Sequence, residues 1–186
     1  MGKTAVLQKL KINEIFYSLQ GEGARAGEPS IFIRLTGCSA KHACFKSGVI
    51  CDTEFESGKE ITLEEIKNII DKFGCEWIVW SGGEPTDQLT EEIVEYFKPY
   101  KQAIECSGIK QPPYNLDWVV LSPKIAEHAI LKKWKTSGLH CDELRCVRKI
   151  GQAVPEPEIT AEKYYISPHF DGETLNKENV DYCIQL

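Results

Sequence analysis

Apolar positions fall into short runs set apart by polar, glycine- or proline-bearing turns. Ile31 to Leu35 reads as a strand that ends at Thr36-Gly37-Cys38. Thr62 and Glu65, ahead of Leu63, Ile66, Ile69, Ile70 and Phe73, predict a capped amphipathic helix that stops near Gly74. Trp77 to Trp80 is too short an apolar run for a helix and is closed by Gly82-Gly83, so it predicts a buried strand. A helix is expected around Thr90 to Phe97, then strands near Gln102 to Cys106 and Asp117 to Leu121. Leu144 to Val147 and Tyr164 to Ile166 predict two more strands.

Alternation of this kind predicts an α/β fold of βα units around a mostly parallel sheet. Parallel folds place their chemistry at the carboxyl ends of the strands. The turns there are Thr36-Gly37-Cys38, Ser81-Gly82-Gly83-Glu84-Pro85, Glu105-Cys106-Ser107-Gly108 and Ser122-Pro123-Lys124. No repeat or low-complexity tract interrupts the chain, and Val154-Pro155-Glu156-Pro157-Glu158 reads as a surface loop within a single domain over 1–186.

With 42% hydrophobic residues in 186, the chain has material for a sizeable core and is neither disordered nor fibrous. The longest apolar runs, Trp77 to Trp80 and Trp118 to Leu121, are far short of a membrane span. The opening MGKTAVLQKLKIN lacks the apolar stretch of a secretory signal, and Val6 stands where myristoylation needs Ser or Thr. These features predict a soluble, cytoplasmic protein with no membrane partner. A net charge of −6 without a basic run argues against nucleic acid and for a small partner.

Eight cysteines in a chain expected to stay reduced point to metal binding or catalysis rather than disulfides. Cys38, Cys44 and Cys51 crowd together among small and polar residues, whereas Cys75, Cys106, Cys141, Cys146 and Cys183 sit in apolar stretches and read as core fillers. Three thiolates hold a soft metal and leave a position open for substrate. Structural zinc takes four ligands, and His42 within the same loop could be the fourth. Spacing alone leaves zinc and iron–sulfur both open. The glycine turn at Gly82-Gly83 permits close backbone approach to a ligand, and Glu84 beside it could accept from an ammonium group.

Together these residues carry a resemblance. Cysteines after a strand, the last followed by Asp52-Thr53, then a strand ending in Gly-Gly-Glu-Pro, resemble the radical S-adenosylmethionine superfamily. The run Ser18-Leu19-Gln20-Gly21-Glu22-Gly23 with Arg34-Leu35-Thr36-Gly37-Cys38 narrows this to the 7-carboxy-7-deazaguanine synthases, with further likeness through Glu105, Ser107, Ser122-Pro123-Lys124 and Ser167-Pro168. The resemblance implies a partial, abridged (β/α)6-type barrel. It also implies a lyase that turns 6-carboxy-5,6,7,8-tetrahydropterin into 7-carboxy-7-deazaguanine with loss of ammonia, in queuosine-type 7-deazapurine biosynthesis. The resemblance leaves tRNA and DNA modification both open as the destination of the product.

By the same resemblance, Cys38, Cys44 and Cys51 bind a 4Fe–4S cluster whose open iron takes the amino and carboxylate groups of S-adenosylmethionine. Gly83 meets the methionine amine. Glu105, Ser107, Ser122, Pro123 and Lys124 line the ribose and carboxylate side, and Ile50, Asp52, Ser167, Pro168 and His169 lie near the adenine. Leu19, Gln20, Gly21, Arg34 and Ser81 hold the pterin, Arg34 by gripping a carboxylate. Thr53 contributes its hydroxyl to Mg2+. The cofactor carries the chemistry, so no side chain is assigned as acid, base or nucleophile. A reducing partner such as flavodoxin or ferredoxin and a homodimer are implied.

One departure stands out. The superfamily's common pattern has three and then two residues between its cysteines, whereas here five separate Cys38 from Cys44 and six separate Cys44 from Cys51. Simple register would instead place His42 four after Cys38. The helical pattern Leu175, Val180, Tyr182, Cys183 and Ile184 runs to Leu186, where the expectation is either that the pterin pocket closes another way, for instance through a partner subunit, or that the chain is a shortened form. Two competing readings are a glycyl-radical-enzyme activating enzyme and a non-catalytic, zinc-stabilised binding module.

Overall fold

A computed structural model describes residues 8–49, 51, 53–153, 159–171 and 174–186. The surface loop expected over 154–158 lies outside them. One eight-stranded sheet organises the chain, and period-two alternation sorts its residues to two faces. The strands are β1 (Lys9–Leu19), β2 (Pro29–Leu35), β3 (Lys59–Thr62), β4 (Trp77–Gly82), β5 (Lys101–Cys106), β6 (Trp118–Leu121), β7 (Cys141–Arg148) and β8 (Ala161–Pro168). Their order is β3-β1-β2-β4-β5-β6-β7-β8. From β2 through β8 the neighbours are parallel, while β1 pairs antiparallel with both β2 and β3. The sheet is linear in its pairing, in keeping with the partial, abridged barrel.

The outer face carries the core. Ile31, Ile33 and Leu35 of β2, Ile78 and Trp80 of β4, Ile104 of β5, Leu121 of β6 and Leu144 of β7 are buried there. Against them pack α2 (Leu63–Ile70), α3 (Glu91–Tyr96) and α4 (Glu127–Thr136) through Leu63, Ile66, Ile70, Ile93, Val94, Ile130, Leu131 and Trp134. Each such side chain contributes about 1.5–3 kcal/mol by leaving water, so this layer holds the strand ends in place. Helix α2 begins as the sequence predicts: Thr62 accepts from the Glu65 N–H and Glu65 accepts from the Thr62 N–H at 2.9 Å. A 3-10 turn, Asp71–Phe73, continues it to Gly74, left-handed at φ 62°. Helix α4 starts instead from Ala126 at φ 47°, without a side-chain cap.

The inner face differs. Phe32, Val79 and Ala103, flanked by Phe16, Trp77 and Trp118, form a small apolar floor. Among the described residues no α-helix residue belongs to this cluster, and Arg25 of a short 3-10 turn, Gly23–Arg25, stacks on Trp77. Toward the carboxyl ends the same face turns polar: Glu14 pairs across from Arg34, Arg34 lies beside Ser81, and Glu105, Val120 and Glu143 follow in register. A helix over most of the expected C-terminal pattern is present as α5 (Lys177–Gln185), capped by Asn176; Leu175 belongs instead to a two-residue strand paired with Phe170. No helix among the described residues is long and apolar enough to cross a membrane.

Candidate active site

The end of β2 delivers Cys38. Its neighbour Gly37, at φ 81°, turns the chain and donates its N–H to the Phe55 carbonyl at 2.7 Å. A short helix not foreseen in the sequence, α1 (Lys41–Lys46), then carries Cys44, whose N–H bonds the Ala40 carbonyl at 2.9 Å. Cys51 follows, exposed, and its thiol faces the Thr53 carbonyl at 3.7 Å. Burial raises the Cys38 thiol, with Glu84 and Cys44 adding to the rise. Burial likewise raises Cys44; Cys51 adds to it and the Lys124 ammonium opposes it. Each thiol therefore feels the next, and a lysine lies on the same side.

Among the described residues no three His, Cys, Asp or Glu side chains are gathered to hold a metal ion, so the three thiols lie apart along the loop, Cys38 and Cys44 half-buried and Cys51 exposed. As a donor set they suit a soft iron–sulfur cluster: thiols in succession, a cation nearby, and backbone free of side chains facing them. His42 is exposed on α1.

The glycine turn lies directly against this loop. Gly83 donates to the Leu35 carbonyl at 3.1 Å, and Glu84 donates its N–H to the Gly37 carbonyl at 3.0 Å. At Gly83 a Cβ would run into Gly37 and Cys38. The Glu84 carboxylate is not offered to a ligand ammonium, contrary to one reading of the sequence. It is buried and accepts from the Ser107 N–H at 3.1 Å, the Ser107 hydroxyl and the Thr86 hydroxyl at 2.5 Å. Two neighbours missed by sequence reasoning finish the joint. Asp87 accepts from the Ser39 N–H at 2.7 Å and pairs with Lys110, and Gln88 donates to the Thr36 carbonyl at 2.8 Å.

Below the rim, the segment after β1 folds back over the inner face. Gln20 bonds Glu28 and Gly27 through its backbone, at 2.9 and 2.8 Å, and buries its amide against Glu105. Arg25 stacks 3.6 Å from the Trp77 ring centroid and donates to Glu28 and Ser30. Arg145 and Glu143 of β7, also missed in the sequence, lie buried in the same cluster. Charged residues at alternate positions, Glu143 and Arg145 on either side of Leu144, were the available signal.

The structure brings Arg34, Ser81, Glu105 and Ser167 to one face, with Gln20 folded over it. Arg34 pairs with Glu14 and lies over Phe16, 5.1 Å from the ring. Lys124 donates to the Ser122 hydroxyl at 3.0 Å, beside Pro123. Pro168 ends β8 opposite Arg148, and the His169 N–H bonds the Arg148 carbonyl at 2.7 Å. Leu19 and Gly21 are exposed, and Thr53 stands two residues after Cys51. Ile50 and Asp52 lie outside the described residues. Of the expected core cysteines, Cys106, Cys141 and Cys146 are buried, while Cys75 and Cys183 are half-buried at the margin.

No family model matches the chain. The 7-carboxy-7-deazaguanine synthase of Bacteroides thetaiotaomicron is 34% identical over 161 residues, 85% of this chain and 81% of that protein. The Haemophilus influenzae protein of the same name is 33% identical over 184 residues, 94% of this chain and 83% of that protein. Among solved structures, QueE from Escherichia coli matches with a TM-score of 0.63 at 20% identity, covering 95% of this chain and 89% of that one. Relatives at 34% and 33% identity thus align over most of both chains, and this chain belongs to the 7-carboxy-7-deazaguanine synthase family.

Proposed function

We propose that this chain is a radical S-adenosylmethionine enzyme converting 6-carboxy-5,6,7,8-tetrahydropterin to 7-carboxy-7-deazaguanine with loss of ammonia, in queuosine-type 7-deazapurine biosynthesis. The observation that carries the reading is a set of neighbours at the strand ends: three successive thiols with Lys124 near Cys44, the Gly83 backbone against Cys38, and charged residues on the inner face. When bound, a 4Fe–4S cluster and S-adenosylmethionine supply reductive cleavage and hydrogen abstraction.

Cys38, Cys44 and Cys51 would hold the cluster, and Gly83 would let backbone reach the methionine amine. Lys124 would meet the methionine carboxylate, with Glu105, Ser107, Ser122 and Pro123 along the ribose side. Ile50, Asp52, Ser167, Pro168 and His169 would line the adenine. Arg34 would release Glu14 and take the substrate carboxylate, as its fork suits a planar anion. Leu19, Gln20, Gly21 and Ser81 would orient the pterin over the apolar floor, which keeps water out. Thr53 would place Mg2+ on substrate oxygens. A cytoplasmic setting, a homodimer and an electron donor such as flavodoxin or ferredoxin complete the reading.

Anaerobic reconstitution with iron and sulfide tests it. A brown protein that bleaches on reduction, cleaves S-adenosylmethionine and yields 7-carboxy-7-deazaguanine from the carboxytetrahydropterin is expected. Stoichiometric zinc with no visible band, or S-adenosylmethionine cleavage without that product, would overturn it.

A further inference from the structure

Inside the inner-face cluster one cation serves three carboxylates. Arg145 donates from Nε and Nη2 to Glu143 Oε1 at 2.9 and 2.6 Å. Its Nη1 donates to Glu22 Oε2 at 3.0 Å and to Glu105 Oε1 at 3.4 Å. The same Glu105 oxygen accepts from Gln20 Nε2 at 3.0 Å, and Gln20 Oε1 accepts from the Glu22 N–H at 3.3 Å. Both protein contacts of Glu105 thus fall on Oε1, and Oε2 takes part in neither.

The fork cannot drift. Glu143, only 1% exposed, is itself held, since its Oε2 accepts from the Ala24 N–H at 3.0 Å. Gly23, at φ 74°, leaves no room for a Cβ above that carboxylate. Burial disfavours the guanidinium charge, but Glu105, Glu143 and Glu22 outweigh burial and hold Arg145 above its ordinary value. The partners belong to three separate stretches of chain: β7, β5 and the turn after β1. A lysine ammonium lacks the fixed fork needed to serve all three at once.

We propose that Arg145 is a positioning residue that couples the two ligand pockets through Glu105. Its fork, anchored on Glu143, aims Glu105 Oε2 at the ribose side and holds Gln20 at the pterin side. This rests on the reading of Glu105 and Gln20 given above.

The test uses the reconstituted holoprotein under anaerobic conditions. Arg145→Lys keeps the charge and loses the fork. Calorimetry reads the affinity for S-adenosylhomocysteine, which is not cleaved, and turnover kinetics read KM and kcat for the pterin. Loss of a charged hydrogen bond predicts about tenfold weaker S-adenosylhomocysteine binding and an about tenfold higher pterin KM, with kcat changed less than KM. Glu143→Gln is the second variant: its amide oxygen still accepts from Ala24, while the guanidinium loses its charged anchor. The same two losses are expected. If a folded variant melts lower yet leaves both constants within twofold, Arg145 is merely structural and the proposal fails. A rise in pterin KM alone also overturns it, because the ribose side is then uncoupled. A parent protein that binds S-adenosylhomocysteine but does not turn over the pterin refutes the substrate reading instead, and the binding measurement still judges Arg145.

Discussion

Gly83→Ala tests the joint between the glycine turn and the first cluster cysteine. An added Cβ would stand 1.9 Å from the Gly37 carbonyl oxygen, 2.7 Å from its carbon and 3.0 Å from Cys38 Cβ. Reaching even about 3.0 Å requires that carbonyl to retreat by about 1.1 Å. It cannot do so cheaply, because it accepts the Glu84 N–H at 3.0 Å while Gly83 is tied to Leu35 at 3.1 Å. The cost is steric and not conformational, since Gly82 and not Gly83 carries the positive φ, 118°. Overpacking of this kind costs about 1–3 kcal/mol, and each kcal/mol moves the melting temperature of a chain this size by about 2–4 °C. Gly21→Ala is the control. Nothing lies within 4 Å of its added Cβ, so it should be neutral or stabilising by up to about 1 kcal/mol through the unfolded chain. Thermal unfolding of both apo variants, with iron per chain after reconstitution, gives the answer. Gly83→Ala should melt lower and take up less iron, because relief of the clash displaces Cys38. A Gly83→Ala protein that melts with the parent and fills with iron would refute the packing described above.

Two further outcomes follow from the same contacts. Iodoacetamide should label Cys51, Cys38 and Cys44 of the folded apo protein well before Cys146 and Cys141, whose thiols burial pushes up to about 11 and about 12; peptide mass spectrometry reads the order, and equal rates for Cys141 and Cys51 would contradict it. Glu84→Gln should lower stability by about 2–3 kcal/mol, the scale of lost hydrogen bonds to a charged acceptor, because an amide NH2 would then face the Ser107 or Thr86 donors; an unchanged urea midpoint would show that the carboxylate does not brace the turn.

The strands that build the sheet were legible because their signal is local. Trp77 to Trp80 announces a buried strand by length and by the glycines after it, and Thr62 with Glu65 announces α2 by its reciprocal cap. Helix α4 was not, for physical reasons: Lys132, Lys133 and Lys135 dilute an apolar stripe reduced to Ile130, Leu131 and Trp134, and its start lacks a capping side chain. Strand β1 was masked by its own motif, and the edge strand β3 is too short to show a period. In the candidate site, rim residues were readable as motifs at strand ends. The Glu143–Arg145–Glu105–Gln20 chain was not, because its members become neighbours only when the sheet brings 20, 105 and 145 together. Nor could the sequence tell that Glu84 would face inward; that depends on Ser107 arriving from another strand end.

The cysteine loop leaves and rejoins the sheet at two fastened points. Gly37 is tied to Phe55, and Gly58, with no room for a Cβ, is pressed between the Ile12 backbone and Thr36. Between those points the described residues meet the sheet at separate places, the Ser39 N–H on Asp87 at 2.7 Å and the Ser57 carbonyl on Asn13 of β1 at 3.1 Å. Closing a loop of doubled length costs only about 0.6 kcal/mol more, far less than breaching either fastening. The wide intervals between Cys38, Cys44 and Cys51 therefore add little loop-closure cost to a rim fastened at both ends.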